Sequence, residues 1–241
     1  MVLARHLYKR IMRRGRVIGL VALSSVPALL FWLVGFDDTD GTLTELYTDI
    51  LSSAGYTYAI AAVILTTATL RDERDSGTLP YIYMRPMSRL NMAMQSILAG
   101  IAAVLAIGFG GWLAAVIASA VLGDPGAAVP SWTLFVSAGV GYAAVFVPLG
   151  YLVPRSLLVG LGYILVVETI LANAVTGLAQ FSIWKIALSI YAGVEDGFGQ
   201  VAVESLGPVT PGVGGGVIKL AGIFLVGLAA LTWALRKRDA L

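Results

Sequence analysis

Six apolar stretches, each about long enough to cross a lipid bilayer, dominate this sequence of 241 residues. A hydrocarbon core of about 30 Å requires roughly 20 consecutive, mostly apolar residues in a helix. Because lipid offers no partner to backbone polar groups, such stretches span the membrane as helices. They comprise residues 17–36, 50–70, 94–122, 132–153, 156–179 and 217–235. The sequence therefore predicts an all-α integral membrane protein with six transmembrane helices.

Composition supports a membrane protein and excludes several kinds of catalytic centre. Apolar residues make up 58% and charged residues 12% of the chain, whereas soluble domains carry about 25% charged residues. The absence of cysteine excludes disulfide frameworks, thiolate nucleophiles and cysteine-bound metals. His6 is the single histidine, so a histidine cluster is excluded as well, and a net charge of +2 indicates no nucleic-acid partner. We expect no catalytic residue, cofactor site or metal site in this chain.

The basic residues predict the orientation. Cytoplasmic loops of membrane proteins are enriched in Lys and Arg, and fourteen of the sixteen basic residues fall on one side of a six-span topology. The other side holds only Lys185 and Lys219, together with nine acidic residues. The fourteen are Arg5, Lys9, Arg10, Arg13, Arg14, Arg16, Arg71, Arg74, Arg85, Arg89, Arg155, Arg236, Lys237 and Arg238. This pattern predicts a multi-pass protein of the cytoplasmic membrane with both termini in the cytoplasm.

Residues 1–15 form a basic segment ahead of the first span. Leu3, Leu7 and Ile11 recur at helical spacing, and arginines fall on the other faces. This pattern is typical of an amphipathic helix that lies along the inner leaflet and contacts membrane lipid. A plain positively charged anchor is an equally good interpretation of the same residues.

Residues 180–216, on the opposite side, are too many for a tight connection between spans. Their apolar piece, residues 181–192, is followed by sequence that glycine and proline interrupt. Irregular backbone at membrane depth must be covered by protein or water. We therefore expect a re-entrant segment of short external half-helices ahead of the sixth span.

The loop between the second and third spans, residues 71–90, carries the main functional signal. It begins with a charged run, in which Asp75 or Ser76 is a suitable N-cap for a short helix. Pro86 would end that helix, and Ser88 is placed to cap the helix that continues into the third span. The short helix would carry an apolar face of Leu79, Ile82, Tyr83 and Met84. An exposed apolar face of this kind usually marks a protein interface.

These residues resemble the coupling-loop pattern of permease subunits in type-2 ATP-binding-cassette (ABC) exporters. That pattern has a Glu, then Gly-Thr-Leu, a short aliphatic run, and Pro-Val/Ile-Ser-Arg. The matching positions here are Glu73, Gly77-Thr78-Leu79 and Arg85-Pro86-Met87-Ser88-Arg89. The N-terminal helix, the six spans, the tight turn at residues 154–156 and the external half-helices are similar to that family too. The resemblance therefore covers essentially the whole chain, as a single transmembrane permease domain of residues 1–241.

The resemblance implies a non-catalytic subunit of an ATP-driven complex. In that family the short coupling helix docks into a cleft on a separate ATPase subunit and transmits nucleotide-driven closure to the membrane helices. Two ATPase subunits, which bind ATP and Mg²⁺, and a second permease chain, identical or paralogous, would complete the complex. The run 80–84 departs from the family's Leu-rich pattern and suggests a partner-specific surface. The residues implied in ATPase coupling are Asp72, Glu73, Arg74, Asp75, Gly77, Thr78, Leu79, Ile82, Tyr83, Met84, Arg85, Pro86 and Arg89.

The fifth predicted span carries the only carboxylate within a span, Glu168. An ionisable group there costs roughly 2.5–3.5 kcal/mol on insertion scales. On a helical wheel, at about 100° per residue, four polar residues form a narrow stripe beside Glu168. Such a stripe should face protein or water rather than lipid. The members of the stripe are Thr169, Asn173, Thr176 and Gln180. The stripe is either a wall of the translocation path or a set of interhelical hydrogen bonds around a paired or protonated Glu168.

Two other functions have less support in the sequence. A stand-alone channel or secondary transporter would need a midplane site, with Glu168 as ion ligand, but paired Gly- or Pro-broken spans are missing from the two halves. An intramembrane enzyme would need a nucleophile elbow, a zinc motif or a carboxylate pair, none of which occurs. The leading prediction is export driven by a separate ATPase. Lipid, drug, peptide and glycan cargoes fit an apolar bundle alike, so the sequence does not select the substrate.

Overall fold

A computed structural model describes residues 2–36, 42–77, 87–174, 176–195, 198–210 and 212–237. These residues form helices and no strand, which confirms the all-α prediction. The main helices are α1 (Val2–Ile11), α2 (Arg14–Ser24), α3 (Val26–Val34), α4 (Leu43–Ala54), α5 (Tyr56–Asp75), α6 (Arg89–Val121), α7 (Trp132–Leu152), α8 (Ser156–Gly162), α9 (Ile183–Ala192), α10 (Gln200–Leu206) and α11 (Val213–Lys237). A 3₁₀ turn, Val129–Ser131, precedes α7. A π-helical segment, Tyr163–Leu171, continues α8 and is followed by the short turns Ala172–Ala174 and Thr176–Ala179.

Several of these helices are long and apolar enough to cross a membrane. Within the described residues, four segments qualify directly: Arg14–Val34 (α2 with α3), α6, Val129–Leu152 and α11. The pair α4 and α5, bent by 47° at the break between them, counts as a fifth candidate. The remaining predicted span, 156–179, contains a shorter apolar helix, Ser156–Leu171. The chain is therefore a multi-pass membrane protein, and its helices are compatible with six spans.

Local sequence explains why the first span consists of two helices. Pro27 lies in the first turn of α3, where its missing N–H is tolerated. Ser24 and Ser25, at the break before it, each donate a side-chain hydrogen bond to the carbonyl of Val21, at 2.9 and 2.8 Å. Serine hydroxyls that bond back to the preceding turn often bend helices. These local features mark the break between α2 and α3 within one span.

Helix α7 lies at the centre of the bundle, where it contacts α5, α6, α9 and α11. Tyr58 of α5 donates a hydrogen bond to the carbonyl of Phe135 at 2.8 Å, and the two rings meet edge to face. On another side, α11 approaches so closely that a Cβ on Gly227 would lie 2.0 Å from the carbonyl oxygen of Ala144. Small residues of this kind allow membrane helices to pack backbone to backbone.

One apolar cluster joins five helices at one end of the bundle. Its members lie near the starts of α1 and α6 and near the ends of α5, α7 and α11, and include Leu3, Leu7, Leu70, Met92, Tyr151 and Leu235. Helices α1 and α11, the first and last of the described chain, therefore meet the two stems of the loop between α5 and α6 at this side of the bundle. The stems are the last turn of α5 and the first turns of α6. We call this region the basic end, because it carries Arg10, Arg71, Arg89 and Arg236.

Helix α1 turns its apolar face to protein rather than to the inner leaflet. Leu3, Leu7 and Ile11 are each no more than 1% exposed, and α1 lies against α6 and α5. The length of α6 explains this difference from the expected surface helix. At about 1.5 Å per residue, its 33 residues exceed the thickness of a bilayer core, so its first turns provide a protein surface. The opposite face of α1 is exposed and includes Arg5 and Lys9.

The segment 180–216 contains two helices that are attached to the bundle. Helix α9 packs between α7 and α11, and every residue in it except Ala192 is buried. Helix α10 packs on α4, where Asp49 accepts a hydrogen bond from the N–H of Ala202 at 2.8 Å. This segment is therefore anchored at the end opposite to the loop stems.

Gly227→Ala should lower the free energy of unfolding by about 1–3 kcal/mol, the usual cost of overpacking. The new Cβ would meet a backbone oxygen of Ala144, which no rotamer change can move. Gly222→Ala on the same helix is the matched control, because nothing lies within 4 Å of its Cβ. Alanine's better helix propensity should leave that control at least as stable as the parent. Thermal unfolding in one detergent measures both variants, and equal midpoints would contradict the close contact between α7 and α11.

Candidate functional site

The candidate site begins where α5 leaves the bundle at the basic end. Helix α5 continues through Asp75, Ser76 is its C-cap, and Gly77 follows with a φ of +69°. This left-handed conformation favours glycine and commonly ends a helix. The prediction that Asp75 or Ser76 starts a new helix is therefore wrong. The charged run instead forms the last turn of α5, in which Arg71 and Asp75 pair at 3.2 Å, four residues apart.

Glu73, in this last turn, is buried and pairs with helix α1. Arg10 Nη1 lies 2.7 Å from Glu73 Oε2, and His6 Nε2 lies 3.3 Å from Oε1. Arg10 Nη2 also donates to the carbonyl of Asp72 at 3.1 Å and to the hydroxyl of Ser76 at 2.6 Å. Removing one partner of a buried ion pair is strongly destabilising, because the other charge stays buried without compensation. Glu73 therefore holds α1 against α5.

The other charged residues of the run also pair within the chain. Asp72 pairs with Arg16 at the start of α2, at 3.2 Å. Arg74 donates to the carbonyl of Tyr151 near the end of α7 at 3.0 Å and pairs with the exposed Asp75 at 3.4 Å. The partly exposed ion pairs each contribute at most about 1 kcal/mol. Together these contacts connect the last turn of α5 to α1, α2 and α7.

The predicted coupling helix itself lies outside the described residues. The undescribed site residues are Thr78, Leu79, Ile82, Tyr83, Met84, Arg85 and Pro86. On the far side of the loop, Ser88 accepts a hydrogen bond from the N–H of Asn91 at 3.3 Å, which confirms the predicted cap of α6. Arg89 is the first residue of that helix. The first stem thus ends at Gly77, and the second stem begins at Met87.

Glu168 is completely buried and accepts hydrogen bonds from two other helices. Tyr142 of α7 donates its hydroxyl to Oε2 at 2.5 Å. The N–H groups of Ile183 and Trp184, in the first turn of α9, donate to Oε1 at 3.0 and 3.2 Å. A carboxylate in this position satisfies N–H groups that have no partner within the helix, and it complements the helix dipole. Glu168 therefore caps α9 together with the N-cap residue Ser182, whose hydroxyl accepts from the N–H of Lys185 at 3.2 Å.

Lys185 of α9 makes the complementary contact. It is 2% exposed, and its Nζ donates to the carbonyl of Ala172, just after the π-helical segment, at 3.1 Å. A cation is favourable at the last carbonyls of a helix for the same electrostatic reason. Glu168 of the π-helical segment thus caps α9, while Lys185 of α9 caps the π-helical segment. The two contacts thus join the π-helical segment and α9 at two separate points.

The π-helical segment changes the directions that the α-helical angle predicts. Each backbone hydrogen bond of a π-helix spans five residues, and the hydroxyl of Thr169 likewise reaches the carbonyl of Ile164, five residues back, at 3.0 Å. Within this segment Glu168 is buried in the bundle, whereas its neighbour Thr169 is exposed. The side chains of these two residues therefore lie on different surfaces of the segment.

The other end of the predicted stripe is separate from Glu168. Gln180 lies beyond the helical turns, where it donates to the carbonyl of Pro208 at 2.9 Å and accepts a hydrogen bond from Lys219. The side chains of Asn173 and Thr176 lie outside the described part of the chain. The described side chains thus divide into an interhelical network around Glu168 and a second network around Gln180.

Sequence analysis alone misses the partners of both buried carboxylates. In the sequence, His6 and Arg10 are only members of a basic tail. One available signal is that Glu73, an acid at the end of an apolar span, needs a nearby cation. Tyr142 offers no comparable signal, because a tyrosine within an apolar span usually packs as core. Both contacts depend on which helices are neighbours in the folded protein.

Two buried carboxylates among the described residues connect helices. Glu73 and Glu168 are both occupied by hydrogen bonds or ion pairs to other helices. Within the residues that the structure describes, no group of three or more His, Asp or Glu side chains could hold a metal ion.

Comparison with known proteins identifies a transporter family. A family model described as "ABC-2 family transporter protein" matches residues 10–170, which is more than half of the chain. The match runs from Arg10, through both stems of the loop, to Glu168 and just beyond. A comparison with curated proteins found no match.

Glu168→Leu should release α9 from the bundle. It leaves two backbone N–H groups and the hydroxyl of Tyr142 without their acceptor, at about 1–3 kcal/mol each. Glu168→Gln keeps an amide oxygen for the two N–H groups and should retain the cap. Because the chain has no native cysteine, Ser189→Cys, at a position 2% exposed in α9, reports release as faster labelling by a membrane-impermeant maleimide. Equal labelling in the Leu and Gln variants would argue against the capping role.

Proposed function

We propose a function that proceeds from the family of this chain: it belongs to the ABC-2 family of transporter proteins, as the match over residues 10–170 shows. With its several apolar helices, it is a membrane permease of an ABC transporter. We propose that it couples ATP hydrolysis by a separate ATPase subunit to the export of a substrate across the cytoplasmic membrane. The observation that carries this proposal is a loop of the family's coupling pattern between two stems that are joined to the bundle.

The position of the stems supports the coupling role of the loop. Both stems lie at the basic end, where basic side chains are concentrated. Because basic loops face the cytoplasm, we place this end, and both termini, on the side where an ATPase has access to ATP. For the loop residues themselves, from Thr78 to Pro86, the support for this role is their sequence.

The contacts of α5 provide a route for movement from the loop into the membrane. ATP-driven closure of the ATPase would push the short helix of the loop and hence the last turn of α5. Arg74 joins that turn to the end of α7 through the carbonyl of Tyr151. Nearer the opposite end, Tyr58 joins α5 to α7 again through the carbonyl of Phe135. Since α7 contacts α6, α9 and α11 as well, a shift of α5 would reach most of the bundle.

The complete transporter would contain two ATPase subunits and a second permease chain, identical or paralogous. ATP and Mg²⁺ would bind to the ATPase subunits, because this chain lacks a phosphate-binding motif. The permease would therefore contribute the membrane path and the coupling contacts, and the ATPase would contribute the chemistry.

A stand-alone transporter with Glu168 as a midplane ion ligand has less support. Both oxygens of Glu168 already accept hydrogen bonds from α7 and α9. An ion at this carboxylate would have to displace Tyr142 or uncap α9. The capping contacts therefore favour a structural role for this residue within a permease.

Replacing Leu79, Ile82 and Tyr83 together with Asp should abolish association with the ATPase while leaving membrane insertion intact. Three added carboxylates would oppose the burial of an apolar face in the cleft of a partner. Co-purification of the ATPase with tagged permease from membranes measures association, and the amount of permease in the membrane measures insertion. Full retention of the ATPase would contradict the proposed docking role of the loop.

The matched control places three Asp residues at the opposite end of the bundle. Val194, Val201 and Val203 are apolar residues that are exposed, at 49%, 52% and 50%. The triple Asp variant of these valines should be captured with as much ATPase as the parent. If it also loses the ATPase, the loop variant reports a general defect rather than a docking surface.

A further inference from the structure

Helix α1 contacts both stems of the loop between α5 and α6. Its first N–H groups face α6, and its last turn faces α5. The two contacts are separated along the helix by about 10 Å, at 1.5 Å per residue. The N-terminal helix thus extends from one stem to the other.

The contact with α6 depends on Gln95. This side chain, in the second turn of α6, is 7% exposed. Its Oε1 accepts hydrogen bonds from the N–H groups of Leu3 at 3.1 Å and Ala4 at 3.3 Å. Its Nε2 donates to Asn91 at 3.1 Å, which orients the amide. Because the first N–H groups of a helix have no partner within it, Gln95 supplies from α6 the cap that α1 requires.

The contact with α5 depends on Arg10. Its guanidinium donates to three acceptors of the last turn of α5: the carboxylate of Glu73, the carbonyl of Asp72 and the hydroxyl of Ser76. The planar fork of arginine suits several acceptors at once, whereas a lysine ammonium acts as a point charge. Arg10 therefore holds the turn that leads directly to Gly77 and the loop.

Apolar packing fills the space between these two polar contacts. Leu3 and Leu7 of α1 belong to the same buried cluster as Leu70 of α5 and Met92 of α6. All four side chains are no more than 1% exposed. Met87, at the start of the second stem, packs against the cluster as well.

We propose that α1 is a clamp that holds the two stems of the loop as one rigid unit, with Gln95 and Arg10 as its positioning residues. A push on a loop moves the membrane helices only if its stems do not bend or separate. Polar contacts at two points and packing between them meet that requirement. The consequence for coupling rests on the proposed function, whereas the clamp itself is a property of this chain.

The test uses the full chain, reconstituted with its ATPase, and measures the distance between the stems. The chain has no native cysteine, so Asp75→Cys and Leu90→Cys, at exposed positions of the two stems, accept spin labels cleanly. Double electron–electron resonance should give one narrow distance distribution for the parent. Gln95→Leu and Arg10→Ala should each broaden it. They should also lower permease-dependent ATP hydrolysis at least about tenfold, because Gln95→Leu removes the acceptor of two N–H groups and Arg10→Ala removes a guanidinium that donates to three acceptors.

Two control variants separate the clamp from a general loss of structure. Gln95→Glu keeps an acceptor for the N–H groups of Leu3 and Ala4, and a negative charge there complements the helix dipole. Lys9→Ala removes an exposed cation next to Arg10 on α1. Both should retain the narrow distribution and the parental rate of hydrolysis.

The outcomes distinguish the clamp from the proposed function. A narrow distribution in Gln95→Leu and Arg10→Ala would overturn the clamp, and a broad one with unchanged hydrolysis would overturn its positioning role. Loss of the ATPase from these variants would instead make α1 part of the docking surface and also overturn the proposal. A parent chain that captures no ATPase would overturn the proposed function, while the distance measurement on the permease alone would still decide the clamp.

Discussion

Two buried carboxylates, each paired with another element of the chain, hold the parts of this protein that apolar packing alone leaves unspecified. A charge in an apolar bundle is costly unless a partner compensates it. Glu73 meets that requirement with Arg10 and His6 of α1. Glu168 meets it with Tyr142 and the first N–H groups of α9. In each case the compensation adds a polar contact that fixes a short helix, α1 at the basic end and α9 within the bundle.

Apolar residues give these helices little reason to choose one neighbour over another, because lipid tails are as apolar as leucine. Close backbone contact and polar contact make the choice instead. Gly227 lets α11 meet the carbonyl of Ala144, and Tyr58 reaches the carbonyl of Phe135. Both contacts converge on α7, which explains how a bundle with few charges keeps one arrangement. In the proposed function, a central helix held in this way would also carry a displacement of α5 to the rest of the permease.

Several features could be read from the sequence because they depend on local chemistry or on the bilayer. The apolar stretches indicate membrane helices, and Ser88 caps α6 as its position next to a helical pattern predicts. The motif around Glu73 and Gly77 indicates the transporter family that the match over residues 10–170 shows. The charged run Arg71–Asp75 was harder to interpret. Its residues suit a helix start as well as a helix end, and only the left-handed Gly77 shows that α5 ends there.

By itself the sequence determined the class of protein, the approximate positions of its membrane helices and the family to which it belongs, because hydrophobic length, charge distribution and a local motif all lie along the chain. The tertiary structure decided which side chains serve as partners. Packing against α7 and α9 buried Glu168, whereas its neighbour Thr169 is exposed. The length of α6 gave α1 a protein surface and placed Gln95 at its N-terminus. Both outcomes depend on how helices distant in sequence lie beside one another, and the pattern of a single segment does not contain that information.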